Sequence, residues 1–292
     1  MRPTPPPQPI FRFAPSPNGL LHLGHARSAL INQEMAKAAD GRLLLRIEDI
    51  DQTRCHQDYE AAIYRDLSWL GMSWEEPVRR QSQHFDLYRQ TLDALIGRGL
   101  AYPGFLTRGE VKTAVAAYEE KGAHWPRDPD GAPLYPLEER ELSPAVRAER
   151  IAGGEKHAWR LNMEKALAET GPPDWLEVDQ ANAGNRIAAG PAIWGDIILS
   201  RSDAPSSYHL SVTLDDALQG VTHVVRGQDL FQATSVHRLL QVLLDLPEPV
   251  YHHHALVLGP DGRKLSKSNA DTGIAAFRDA GHTPDDIRAL VL

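Results

Sequence analysis

Apolar and polar positions along this chain repeat with two periods, and the places where one period yields to the other mark its elements. Ile10 to Ala14 alternate apolar and basic residues around Arg12, which predicts a short strand. Pro15, Pro17, Asn18 and Gly19 then punctuate a sharp bend, and from Leu20 toward Leu30 an apolar face recurs at helical spacing. The run Gly41 to Asp51 is nearly continuous in apolar residues and ends in acids. A buried parallel strand reads this way when its C-terminal end opens into a ligand crevice. Helices are predicted over Gln57 to Leu70, stopped by Gly71, and over Gln81 to Leu100.

Beyond about residue 106 the pattern loosens. A helix around Glu110 to Lys121 is followed by a stretch rich in Pro, Gly and charge, then by a short charged helix up to Gly153-Gly154. Strand-like runs resume at His157 to Met163 and Trp194 to Arg201, and a β-branched run, Val221 to Val225, leads into Arg226-Gly-Gln-Asp229. A helix over Ser235 to Leu246, a last strand over Tyr251 to Leu258, and a Gly- and Pro-broken helical piece from Ala270 to Leu292 complete the chain. Strands alternating with helices predict an α/β fold on a parallel sheet. The expected division is a Pro-rich tail (1–9), a first half (10–105), an inserted α+β subdomain (106–190), a second half (191–258), and a basic loop with a short helical tail (259–292).

Composition narrows the field. The 292 residues are 42% hydrophobic, enough for one large domain with an insertion. No run of 18 apolar residues and no basic-then-apolar leader is seen, so a soluble cytoplasmic protein is expected. Cys55 is the only cysteine, which excludes a disulfide framework within one chain. The net charge of -8 argues against bulk electrostatic binding of nucleic acid, though a local basic face could still grip an RNA.

Candidate chemistry centres on the first bend. A helix start presents free N–H groups suited to an anion, and His22 and His25 sit on that rim around the side-chain-free Gly24. Two ordinary histidines would explain the pair, but not the Pro-rich turn, the glycine and the helix start together. Glu48 is placed to face the same crevice as Arg12, with a solvated strand-end acid as the alternative. Arg226 sits at a strand's C-terminal mouth, where open α/β sheets bind ligands; a salt bridge to Asp229 or Asp216 is the alternative. His252, His253 and His254 invite a metal reading, but consecutive strand residues point to opposite faces, so none is assigned. Trp69 and Trp74 are read as packing aromatics.

His22-Leu-Gly-His25 resembles the HIGH signature of the class I aminoacyl-tRNA synthetases, and Arg12-Phe-Ala-Pro-Ser-Pro17 resembles their glutamyl and glutaminyl branch. The loop Lys264-Leu-Ser-Lys-Ser268, coming last, resembles the KMSKS loop of the same class. The resemblance implies a Rossmann-like catalytic domain split by an acceptor-binding insertion. It implies that Mg2+-ATP activates L-glutamate, with His22, His25 and Lys267 catalytic, and with Gly24, Lys264 and Ser266 also at the nucleotide. Arg12, Phe13, Ala14, Pro15, Ser16, Glu48, Tyr208 and Arg226 would then hold glutamate. Two arginines and one acid match the two carboxylates and one ammonium of that substrate. Relatives often begin a structural zinc site with Cys-x-Cys where this chain has Gly104 and Leu106, so no zinc is expected. The short segment after the loop, together with the run Asp215 to Gly227, is most similar to the bacterial glutamyl-queuosine tRNA(Asp) synthetases. Their acceptor is the queuosine base of tRNA(Asp), and a monomer without an anticodon-binding domain and without a membrane partner is expected. A conventional glutamyl-tRNA synthetase core and a non-catalytic synthetase-like module are the alternatives.

Overall fold

The computed structural model describes residues 8–202, 204–259 and 273–292. The first half runs β1 (Ile10–Phe13), α1 (Leu23–Ala38), β2 (Arg42–Ile47), α2 (Gln57–Trp69), β3 (Glu75–Arg80), α3 (Phe85–Gly97) and β4 (Ala101–Gly104). The middle contains α4 (Arg108–Glu119), α5 (Pro144–Ala152), β5 (Ala158–Leu161), α6 (Met163–Thr170), and the hairpin β6 (Asp174–Val178) and β7 (Gly184–Ala188). Then come β8 (Ile198–Arg201), α7 (Tyr208–Leu218), β9 (His223–Gly227), α8 (Thr234–Leu243), β10 (Val250–His254), α9 (Ile274–Asp279) and α10 (Pro284–Val291).

Among the described residues, seven strands form one sheet in the order β3-β2-β1-β9-β10-β6-β7, parallel except for the edge strand β7. The halves wind outward from the β1/β9 seam, so strand order reverses there and a crevice opens at the C-terminal ends of those two strands. Central β1 buries Phe11 and Phe13 on the face that α1 covers and Arg12 on the other, as a strand covered on both sides does. On one side Leu30, Leu45, Ile63 and Leu67 pack with Ile274, Ile287 and Val291, which docks α9 and α10 against α1 and α2. On the other, α3, α6, α7 and α8 close around Leu92, Leu161, Leu210, Leu214 and Leu239. No helix of the described residues is long and apolar enough to cross a membrane.

Sheet pairing does not follow the boundary at residue 190. β6 and β7, inside the 106–190 segment, extend the main sheet through β10, whereas β8, beyond it, pairs with β5 in a separate antiparallel sheet ordered β4-β5-β8. The reason is side-chain burial: Trp175 of β6 is fully covered among Val221, Val224 and Tyr251, a pairing invisible to local periodicity.

The small sheet is held at positions 104–106 by packing and a buried acid. A Cβ on Gly104 would lie 2.8 Å from the Tyr135 hydroxyl. The N–H groups of Phe105 and Leu106 donate to Glu139 Oε2 at 2.6 and 3.2 Å. Arg150 stacks 3.9 Å over the Phe105 ring, and Arg160 stacks 3.6 Å over Tyr135. Phenol, carboxylate and guanidinium groups fill this place, and they are not a donor set that fits zinc.

Candidate active site

The start of α1 is built by two histidines. His22 is its N-cap, with extended backbone, and its Nδ1 accepts the Gly24 N–H at 3.1 Å; His25 Nδ1 accepts the His22 N–H at 3.1 Å. This is a capping box made of imidazoles in place of hydroxyl and carboxylate. Because both Nδ1 atoms accept, each neutral ring carries its proton on Nε2. Two imidazole Nε2–H groups thus belong to the N-terminal end of α1, where its dipole is positive. A Cβ at Gly24 would come within 3.0 Å of His22 Cε1, so the glycine is what lets the ring fold back.

Opposite, buried charges converge at the ends of β1 and β2. Arg12 Nε and Nη2 donate to the two oxygens of Asp216 at 3.0 and 3.3 Å. Arg46, fully buried, donates through Nη1 to Asp216 at 2.7 Å and through Nη2 to Glu48 at 2.9 Å. Burial alone would raise Asp216, but Arg12 and Arg46 outweigh it and hold its pKa below the ordinary carboxylate value. Burial pushes Glu48 the other way, above the usual carboxylate range, although Arg46 and Arg12 pull it down. One guanidinium contact undercompensates that acid, and an arriving ammonium group would complete it. Asp215 beside them is satisfied by Arg79, Gln81 and Tyr88 at 2.8 to 3.0 Å.

Arg226, at the end of β9, takes neither of the carboxylates that sequence reasoning offered it: Asp216 belongs to Arg12 and Arg46. Its donors go to His253 Nε2 at 3.1 Å, His237 Nδ1 at 3.1 Å, Thr234 Oγ1 at 2.7 Å and the Leu230 carbonyl at 3.3 Å. Tyr208 opens α7, whose N-cap is Ser207, and burial holds its hydroxyl protonated, above the ordinary tyrosine value.

A cavity of about 430 Å3 joins these groups; its lining includes Arg12, Phe13, Ala14, Pro15, Ser16, His22, Gly24, His25, Glu48, Tyr208 and Arg226. It adjoins a second cavity of about 950 Å3, and Ser16, Asn18, Glu48 and Tyr208 line both. Cations of the middle segment, Arg108, Lys112 and Arg127, line the second. Lys264, Ser266 and Lys267 lie outside the described residues. Sequence reasoning missed Arg46, Asp216 as the partner of Arg12, and the imidazoles behind Arg226. The adjacent acids Asp215 and Asp216 inside an apolar helical run were the available signal, because acids so placed need buried cations. The three consecutive histidines diverge: His252 Nδ1 meets the Val178 carbonyl, His253 meets Glu177 and His254 meets the Ala255 carbonyl.

Residues 10–291 match the family model described as "tRNA synthetases class I (E and Q), catalytic domain". The chain is 45% identical to a glutamyl-Q tRNA(Asp) synthetase of Rhodobacter capsulatus over 97% of its own length and 99% of that protein. It is 35% identical to a glutamate–tRNA ligase of Aquifex aeolicus, covering 94% of this chain but 54% of the ligase. A crystal structure of a glutamate tRNA ligase from Elizabethkingia meningosepticum in complex with its amino acid superposes with a TM-score of 0.78 at 26% identity, covering 98% of this chain and 60% of that one. The chain thus spans a little over half the length of these two ligases.

Proposed function

The chain belongs to the class I tRNA synthetases of the E and Q kind, a family of ligases, and from that premise we propose that it activates L-glutamate with ATP and passes the glutamyl group to the queuosine base of tRNA(Asp). The observation that carries this reading is the one cavity in which Arg12, Glu48, Tyr208 and Arg226 face the histidine-capped start of α1. What supports the queuosine acceptor is the relative of that name at 45% identity, together with length: this chain covers 81 to 99% of the relatives so named but 54 to 56% of those named glutamate–tRNA ligase.

In this reading an α-carboxylate oxygen of glutamate bonds to the α-phosphorus of ATP, the bond from that phosphorus to the bridging oxygen breaks, and pyrophosphate leaves with the electron pair. A hydroxyl of the queuosine cyclopentenediol then attacks the carbonyl carbon, loses its proton, and displaces AMP. No protein atom is bonded along the way, so the residues act by position and charge. Glu48 takes the ammonium group. Arg226 and Arg12 take carboxylate, Arg12 through the N–H groups that Asp216 leaves unused, and Tyr208 donates its hydroxyl. His22 and His25 direct their Nε2–H groups to phosphate, joined by Lys264, Ser266 and Lys267. Magnesium, brought with the nucleotide, would offset charge on the leaving pyrophosphate. The acceptor enters through the larger adjoining cavity, where Arg108, Lys112 and Arg127 meet its phosphates. The expected assembly is a monomer, acting in the cytoplasm beside ATP and tRNA.

The test is transfer of labelled glutamate, with ATP, to two anticodon stem-loops of tRNA(Asp), one carrying queuosine and one guanosine. Label on the queuosine RNA alone supports the reading. Label found instead on the 3′ end of intact tRNA(Glu) makes the chain a conventional synthetase core, and no ATP–pyrophosphate exchange with glutamate removes the activation step itself.

A further inference from the structure

Behind Arg226 lies a line of buried imidazoles that the reaction as described does not use. Arg226 Nε donates to His253 Nε2, so the proton of that ring is on Nδ1, where it meets the Glu177 oxygens at 3.0 and 2.9 Å. Arg226 Nη1 donates to His237 Nδ1, so the proton of His237 is on Nε2, 3.2 Å from His209 Nδ1. With two further bonds from Nη2, four of the five guanidinium N–H groups are engaged, which leaves one Nη1–H on a side chain that lines the cavity. Among the described residues, the ion pairs beside it join Arg12 to Asp216, Arg46 to Asp216, Glu48 and Asp215, and Arg79 to Asp215, and Arg226 is in none of them. Arg226 thus brings to the cavity a positive charge that no ion pair of the described residues takes up, facing a substrate class of net charge minus one.

We infer that His237 and His253 are positioning residues that set specificity: as neutral acceptors they fix the Arg226 guanidinium without neutralising it, so the pocket demands an anionic side-chain group. A carboxylate at either place would hold the guanidinium equally well and would satisfy its charge, removing the preference for glutamate over its uncharged amide. The Glu177 charge is kept a ring's width away by His253. Burial and the Arg226 charge hold His237 well below its ordinary pKa, and burial, against the pull of Glu177, holds His253 at about 4, so both rings stay neutral at working pH. His209, lowered to about 4 by burial and Arg226, continues the same neutral line.

This inference rests on glutamate being the amino acid activated, and ATP–pyrophosphate exchange, with and without tRNA, separates the two. In H237L the glutamate KM should rise at least tenfold while kcat and the KM for ATP stay within threefold. In H237Q, whose amide oxygen can accept from Arg226, the glutamate KM should return to within threefold of the unsubstituted chain. H237E should lose at least a hundredfold in kcat/KM for glutamate and discriminate less against glutamine. If H237L and H237Q shift KM alike, or a folded H237E keeps glutamate kcat/KM within threefold, the inference falls while the activity stands. If H237E does not fold, the H237L and H237Q pair decides. An unsubstituted chain that exchanges nothing with glutamate overturns the activity and this specificity role with it.

Discussion

Two buried arginines show how differently a cation can be kept inside a protein. Arg46 is surrounded by Asp216, Glu48 and Asp215; burial opposes its charge, but the three carboxylates outweigh burial and hold its pKa above the ordinary arginine value. Replacing it with Met would leave the acids short of one positive charge in a closed site. Arg46→Met should therefore cost on the order of 3 to 5 kcal/mol in urea unfolding. A cost below about 1 kcal/mol would mean that water reaches these acids in the folded state. Arg226 contributes through its charge and its fork. Arg226→Lys keeps the charge but cannot reach His253, His237 and Thr234 together, so glutamate kcat/KM should fall roughly tenfold to a hundredfold with stability changed little. Exchange kinetics alongside thermal melts check this, and an unchanged kcat/KM would show that charge alone suffices.

At the level of elements, the start of α1 has a capping role and, in the proposed reaction, a phosphate-binding one. His22 caps the helix through Nδ1, and its Nε2 is not needed for the cap, so one substitution can separate the roles. Asn accepts the same backbone N–H but has no group at the position of Nε2. His22→Asn should keep stability within about 0.5 kcal/mol yet lower the exchange rate roughly a hundredfold, whereas His22→Ala should also lose about 1 kcal/mol of stability. Equal rates for His22→Asn and the unsubstituted chain would confine His22 to capping. The same element explains what was readable locally: strand, turn, glycine and helix start are all short-range signals, and β1 and α1 form where the period changes. The β6–β7 hairpin was not readable that way. β6 joins the main sheet only because β10 and Trp175 meet there, across about seventy residues of chain.

Across the whole molecule, buried neutral histidines make stability depend on pH. Burial holds the His253 pKa at about 4, against about 6.5 for an ordinary histidine, so between those values the unfolded chain binds the proton and the folded chain does not. Stability from this source is full above about pH 6.5 and is lost as pH falls toward 4, on the order of 2 kcal/mol by pH 5. His237, also lowered, acts in the same direction, and Asp216, held low by Arg12 and Arg46, adds to the loss further into acid. Melting temperature should therefore drop from pH 7.5 to 5, and His253→Gln should flatten that slope; a flat profile in the unsubstituted chain would refute the buried neutral state. What the sequence determined by itself was the alternation of strands and helices that marks an α/β fold, the turn with His22 and His25, and the presence of Arg12, Glu48 and Arg226 at strand ends, because periodicity, turn chemistry and residue type are local properties, whereas the β6–β7 hairpin and the helix that Tyr208 opens were not legible there. Only the tertiary structure decided which charge meets which. Arg12 pairs with an acid 204 positions away, and Arg226 finds imidazoles rather than the acids near it in sequence, because partners in a closed core are chosen by burial and geometry among all the groups the fold brings together.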